Sequence, residues 1–277
     1  MTTLRLQIAY DGSAYHGWQV QSRHRSIEGE LTLAASRILN LDEPVKVQGA
    51  SRTDAGVHAE GQVAHLRHEM PRTRWDFCRG LNGLTDDDIC VMRVEEASDD
   101  FHARHSARGK IYRYQIWNHR FVNPFLRHRS WRIIRPLNVD AMAREARAFV
   151  GEHDFDGFRS THCSSPTTVR CMERVEVVAY DAPLIEVIVE GAAFLQHMVR
   201  IMVGTLVDVA TGRLPEGRVR EVLEVGDRRL AGRTAPAKGL TLEKVRYPDF
   251  PWRGDEPKLG GGYLSDIPSI GGGCDEG

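Results

Sequence analysis

The ten residues Gly49-Ala50-Ser51-Arg52-Thr53-Asp54-Ala55-Gly56-Val57-His58 set one carboxylate beside one guanidinium among small residues. A cation close to a carboxylate favours its charged form. A charged Asp54 on a tight loop is what a nucleophilic or base-acting carboxylate requires. The same residue types also build an ordinary turn, in which Asp54 does no more than cap a helix or close a loop. The decapeptide alone leaves both readings open. Ser51 and His58 do not make a hydrolase, because no G-x-S-x-G elbow surrounds the serine. The chain also lacks a phosphate-cradling G-x-x-x-x-G-K and a dinucleotide fingerprint.

Two further stretches carry chemistry. In the helical pattern over 194–211, Leu195, Met198, Met202, Leu206 and Val209 form an apolar stripe. His197, Arg200 and Gly204 fall off it, three and four residues apart on a neighbouring face. An arginine in so apolar a helix is costly unless a carboxylate receives it. Asp54 is a candidate partner, and solvent is the alternative. The second stretch, 101–139, contains no Asp or Glu but holds Arg104, Arg108, Lys110, Arg113 and further arginines. Tyr112, Tyr114, Trp117 and Trp131 are interleaved with them. Arginine pairs with phosphate through two hydrogen bonds and stacks on bases. Contact with a nucleic-acid backbone is favoured over a merely solvated basic face. His58, His65 and His68 with Glu60 suggest a metal, but His65 and His68 alternate to opposite strand faces, so no metal is expected. His162, Cys163 and Cys171 are too sparse for a zinc site.

The elements that must position these residues read as β-α-β-β-α-β twice over. Leu4, Leu6, Ile8 and Tyr10 alternate with polar residues as a strand, and Ser26 can cap a helix carrying Ile27, Leu31, Ala34, Ala35 and Ile38. Strands over 45–50 and 62–68 flank Asp54. A helix over 75–81 and a strand over 89–94 close the first half. The second half places strands at 111–117, 171–180, 184–190 and 240–247. Its helices lie at 139–150, 194–211 and, as an addition, 216–225. The pattern predicts an α+β fold of two similar ferredoxin-like (βαββαβ) halves, each an antiparallel sheet with helices on one face. The boundaries are 1–103 for the half with the Asp54 loop and 104–250 for the half with the basic strand and the Arg200 helix. The tail at 251–277 is glycine-rich and expected to be mobile.

With 277 residues and 41% apolar content, the chain has material for a large core. No apolar run approaches the roughly 18 residues of a membrane span. The first residues enter a strand directly, so no signal peptide is expected. Five widely spaced cysteines without C-x-x-C fit a reduced, cytoplasmic setting. Net charge is only −1, yet 32 of the 37 basic residues are arginine and they cluster.

In these motifs the chain resembles the TruA-type tRNA pseudouridine synthases. The resemblance rests on Tyr10-Asp11-Gly12, Tyr15-x-Gly17-Trp18-Gln19-x-Gln21 and Gly49-x-x-Arg52-Thr53-Asp54-Ala55-Gly56-Val57-His58. It continues through Phe101-His102-Ala103-Arg104, Tyr112-Arg113-Tyr114 and Phe194-Leu195-x-His197-Met198-Val199-Arg200-x-Met202-Val203-Gly204. Thr234-Ala235-Pro236-Ala237-x-Gly239-Leu240 and Val245-x-Tyr247-Pro248 complete it. Ser26-Ile27-Glu28-Gly29 and Gly232-Arg233-Thr234 depart from the family's commoner Thr-Val-Gln-Gly and Gly-Pro-Thr. The resemblance implies that Asp54 is the catalytic aspartate, Tyr112 the active-site tyrosine and Arg200 the arginine paired with the aspartate. Arg52 matches the basic position beside it, and Leu240 the apolar residue of the base pocket. It further implies a cofactor-free, metal-free homodimer acting on tRNA, at uridines 38 to 40 of the anticodon arm, with the site in the cleft between the halves. A catalytically silent RNA-binding module and a metal-dependent phosphohydrolase are the rival readings.

Overall fold

The computed structural model describes residues 1–69, 73–181, 183–250 and 252. The tail expected to be mobile thus lies, apart from Trp252, outside the described residues. The first half runs β1 (Thr3–Tyr10), α1 (Ile27–Ile38), β2 (Gln48–Gly49), β3 (His58–Arg67), α2 (Arg74–Leu84) and β4 (Ile89–Ala97). Leu4, Leu6, Ile8 and Tyr10 are all buried. Ser26 does cap α1, its side chain accepting from the Gly29 amide.

The second half runs β5 (Gly109–Trp117), β6 (Trp131–Arg132), α3 (Val139–Ala146), β7 (Gly151–Asp154), β8 (Val169–Ala179) and β9 (Leu184–Gly191). It ends with α4 (Met198–Ala210), α5 (Arg218–Val225) and β10 (Leu240–Arg246). The expected β-α-β-β-α-β order is therefore present in both halves, with β6, β7 and α5 added to the second.

The halves do not form two separate sheets. A single ten-stranded sheet runs β4-β1-β3-β10-β5-β9-β8-β7, with β2 beside β3 and β6 beside β5. The join is made by β10, the last strand of the chain. It pairs parallel with β3 through Thr241–His58 and Leu242–Ala59, and antiparallel with β5. Leaving β3 and β10 as free edges would expose unpaired backbone groups, and pairing them removes both edges at once. The approach is close: a Cβ at Gly61 would fall 2.3 Å from the Glu243 carbonyl oxygen.

The strand expected over 62–68 begins already at His58, and smaller shifts occur at α2 and β4; three other boundaries differ for local reasons. The strand expected over 45–50 shrinks to two residues, because the Val45 amide is taken by Ser36 Oγ instead of a neighbouring strand. The helix expected over 139–150 leaves α geometry after Ala146 and finishes as a 3₁₀ turn, Arg147–Phe149. The helix expected from 194 begins only at Met198, because His197 sits in the left-handed region at φ 61°. Among the described residues no helix is long and apolar enough to cross a membrane.

Helix α4 packs its Gly204 against the strand-like segment after α5. A Cβ there would lie 1.7 Å from the Arg233 carbonyl oxygen. We expect Gly204→Ala to destabilise by about 2–3 kcal/mol through overpacking, outweighing the roughly 1 kcal/mol that alanine contributes to a helix. Thermal unfolding should then show Tm lowered by roughly 4–12 °C; an unchanged Tm would mean the segment yields freely.

Candidate active site

Asp54 stands on the loop from β2 to β3, and three neighbours hold that loop. The backbone of residues 15–18 lies behind it: the Trp18 amide donates to the Thr53 carbonyl at 3.0 Å, and the Gly56 amide donates to the Tyr15 carbonyl at 3.2 Å. Gly17 between them has φ +90°, and a Cβ on it would meet the Thr53 oxygen at 2.5 Å. Only glycine fits both demands. From the sheet side, the fully buried Gln62 acts as a surrogate strand. Its Nε2 donates to the Ser51 carbonyl at 2.8 Å and its Oε1 accepts from the Ser51 amide at 3.2 Å. Tyr10 shares a hydrogen bond of 2.8 Å with Thr53 Oγ1.

The carboxylate itself is received from the other half. Arg200 Nη1 on α4 donates to Asp54 Oδ2 at 2.9 Å, and both side chains are mostly buried. Arg200 Nε donates at 2.8 Å to the Ala235 carbonyl, whose own amide bonds back to the Arg200 carbonyl. Fixed on two sides, the guanidinium presents one edge to Asp54. His197 Nε2 lies 3.6 Å from the same oxygen, with its side chain still 31% exposed. A non-glycine residue at φ 61° costs about 1–2 kcal/mol. Burial lowers the His197 pKa below the ordinary histidine value, with Asp54 opposing and Arg200 reinforcing.

The wall opposite is Tyr112 on β5. Its ring stands edge-on to Phe194 at 5.1 Å, and its hydroxyl shares a 2.7 Å hydrogen bond with Ser51 Oγ. Burial pushes the phenol up to about 12, so at neutral pH it is a hydrogen-bonding, apolar surface and not a base. Together these groups line a cleft of about 900 Å³ drawn from both halves. Its polar end can hold a reacting sugar or base at Asp54, and its apolar walls can sandwich a planar ring.

A family model described as tRNA pseudouridine synthase matches residues 146–248. The chain is 42% identical over 251 residues to a tRNA pseudouridine synthase A of Myxococcus xanthus, covering 91% of this chain and 94% of that one. It is 42% identical to the protein of the same name from Ruminiclostridium cellulolyticum, covering 89% of this chain and all of that one. The Shigella boydii serotype 4 protein of that name is also 42% identical, with 95% and 96% covered. The chain belongs to the tRNA pseudouridine synthase A family.

Seven of the nine residues singled out from the sequence meet at this cleft: Arg52, Asp54, Arg104, Lys110, Tyr112, Arg200 and Leu240 all line it. Arg52 and Arg104 are exposed there. Lys110 is held down to about 8, first by burial and then by Arg104. The other two point elsewhere. Arg113 alternates with Tyr112 to the opposite sheet face, where Glu60 holds it at 2.6 Å with Glu186 and Glu243 within 4 Å. Arg108 pairs with Asp249 away from the cleft. Among the described residues no group of three or more His, Cys, Asp or Glu is arranged to hold a metal ion.

Sequence reasoning missed Gln62, the packing of Phe194 on Tyr112 and the true partner of Ser51. Gln62 alternates with Ala64 and Leu66 on one face of β3, and its amide among those apolar neighbours was the available signal. Replacing it with leucine would leave the half-buried Ser51 amide and carbonyl without these partners. We expect Gln62→Leu to lower stability by about 1–3 kcal/mol and to loosen the Asp54 loop, cutting turnover more than tRNA affinity. Denaturant unfolding and steady-state kinetics check this; full activity with unchanged stability would remove Gln62 from the account.

Proposed function

We propose that this chain isomerises uridine to pseudouridine in tRNA, with Asp54 as the reacting carboxylate. The observation that carries the reading is the Asp54–Arg200 pair, directed into a cleft with an aromatic and an aliphatic wall. The reaction breaks the N-glycosidic bond, turns the uracil and rejoins it through C5. Substrate and product have the same atoms, so no electrons and no co-substrate are consumed, and in this reading one carboxylate that attacks or deprotonates the nucleoside serves the reaction.

The target uridine is stacked in its RNA and must leave the stack, at a cost of a few kcal/mol. Arg52, exposed at the rim, reaches toward the gap or the flanking phosphate. Tyr112 packs on the extruded ring, Leu240 closes the apolar side, and Arg104 and Lys110 take backbone charge. The family resemblance supports uridines 38–40 of the anticodon arm as targets, a homodimer whose partner helps to bind the tRNA, and a cytoplasmic location. The strand orders support reading each half as ferredoxin-like, split near residue 103: β4-β1-β3 with β2, and β10-β5-β9-β8.

Tritium release from tRNA carrying 5-tritiated uridine tests the proposal. Wild-type enzyme should release tritium with or without EDTA. Asp54→Asn, which keeps shape but removes the charge, should release tritium only at a residual rate far below wild type while binding tRNA within about twofold of wild type. Binding without release by the wild type would leave an RNA-binding module, and loss of release with EDTA would indicate a metal enzyme.

A further inference from the structure

The reaction ends with a step that Asp54, Arg200 and Tyr112 leave unassigned. Once C5 has joined the sugar, it still carries its hydrogen. The C5–H bond must break, its electrons forming the C5=C6 double bond while the C6=N1 pair moves onto N1. N1 then takes a proton from water. Some group in the cleft must receive the C5 proton.

We propose that His197 Nε2 is that base. The proposal rests on the function assigned to Asp54 and adds a second catalytic residue to it. The imidazole lies 3.6 Å from the reacting Asp54 oxygen, too far for a hydrogen bond, and is open to the cleft. Its backbone is at φ 61°, one of two non-glycine positive-φ residues among those described, the other being Asn40 in a surface turn. Glycine or asparagine would hold that conformation with less strain, and backbone strain of this kind concentrates at functional sites.

The competing groups are less suited. The Tyr112 hydroxyl is engaged by Ser51 and stays protonated at neutral pH. Lys110 is an ammonium below about 8. Asp54 is bound by Arg200. Around His197, Arg200, Arg228 and His162 act against a positive imidazole and Asp54 acts for it, while Cys163 lines the same wall. The start of α4 also disfavours a cation. The ring is thus kept neutral and able to accept. In the routes where Asp54 acts on the sugar, its charge returns as the C5–C1′ bond forms, and an ionised Asp54 then stabilises the imidazolium. The proton leaves through the open cleft to water.

The test compares wild type with His197→Gln and His197→Gly on tRNA carrying 5-protio or 5-deuterio uridine. The glutamine variant should bind tRNA as wild type does, turn over about 100-fold more slowly, and show a primary deuterium isotope effect larger than that of wild type. The acid limb of the wild-type kcat profile, below the ordinary histidine range, should disappear in that variant. The glycine variant, which keeps the backbone conformation, should regain turnover with added imidazole. Wild-type turnover by His197→Gln, a loss without a C5 isotope effect, or a loss of tRNA binding would each overturn the assignment. Asp54→Asn run alongside separates the two readings: its retained turnover would sink the parent proposal, whatever His197 does.

Discussion

The hydrogen-bonded ion pair between Asp54 and Arg200 spans the two halves of the molecule. The carboxylate comes from a loop of the first half and the guanidinium from α4 of the second, 146 positions later. Withdrawing two charges from water is expensive, and their attraction repays the cost only with good geometry and further hydrogen bonds. The second bond, from Arg200 to the Ala235 carbonyl, supplies that geometry. Ala235 in turn lies just ahead of β10, the strand that joins the halves into one sheet. The Asp54 loop leads into β3 and the Ala235 segment leads toward β10, so the pair sits beside the strand pairing that joins the halves.

Around this pair, rigidity is built from close backbone approach as well as from side-chain hydrogen bonds. Gly17 lets the aromatic loop touch the Asp54 loop, Gly61 lets β3 touch β10, and Gly204 lets α4 touch the segment that carries Ala235. His58 adds a fourth junction: its Nε2 faces the carbonyls of His128 at 2.9 Å and Lys238 at 3.2 Å, and its other nitrogen lies 3.2 Å from Asp11. In the proposed reaction, a loop so held would keep its carboxylate in place while the sugar and base rearrange, which is where a positioned group gains most over a free one.

Much of this was legible in the chain. Alternation and helical spacing gave the element order of both halves, because those periods follow directly from which face is buried. Arg200 stood out as a charge on an apolar helix, and its partner was among the few carboxylates in a loop built for chemistry. What stayed hidden depended on long-range pairing. The parallel β3–β10 contact has no local signature, so two sheets were expected where one exists. The basic run suggested that Arg113 meets phosphate, although the alternation that places Tyr112 toward the cleft turns Arg113 away from it. Three glutamates from β3, β9 and β10 then meet it, and no window of sequence shows them together. Ser51 was weighed only as a nucleophile, whereas its hydroxyl positions a tyrosine 61 residues away.

The coupling of Asp54 to Arg200 is the claim on which the rest depends, and a double-mutant cycle measures it directly. Single-turnover rates of pseudouridine formation would be compared for wild type, Asp54→Asn, Arg200→Gln and the double variant, with tRNA saturating. If the two side chains act as one unit, the double variant will be no slower than Asp54→Asn alone, because removing the arginine from an already dead pair costs nothing further. Additive losses in the double variant would show that Arg200 serves catalysis independently of Asp54, and would contradict the account.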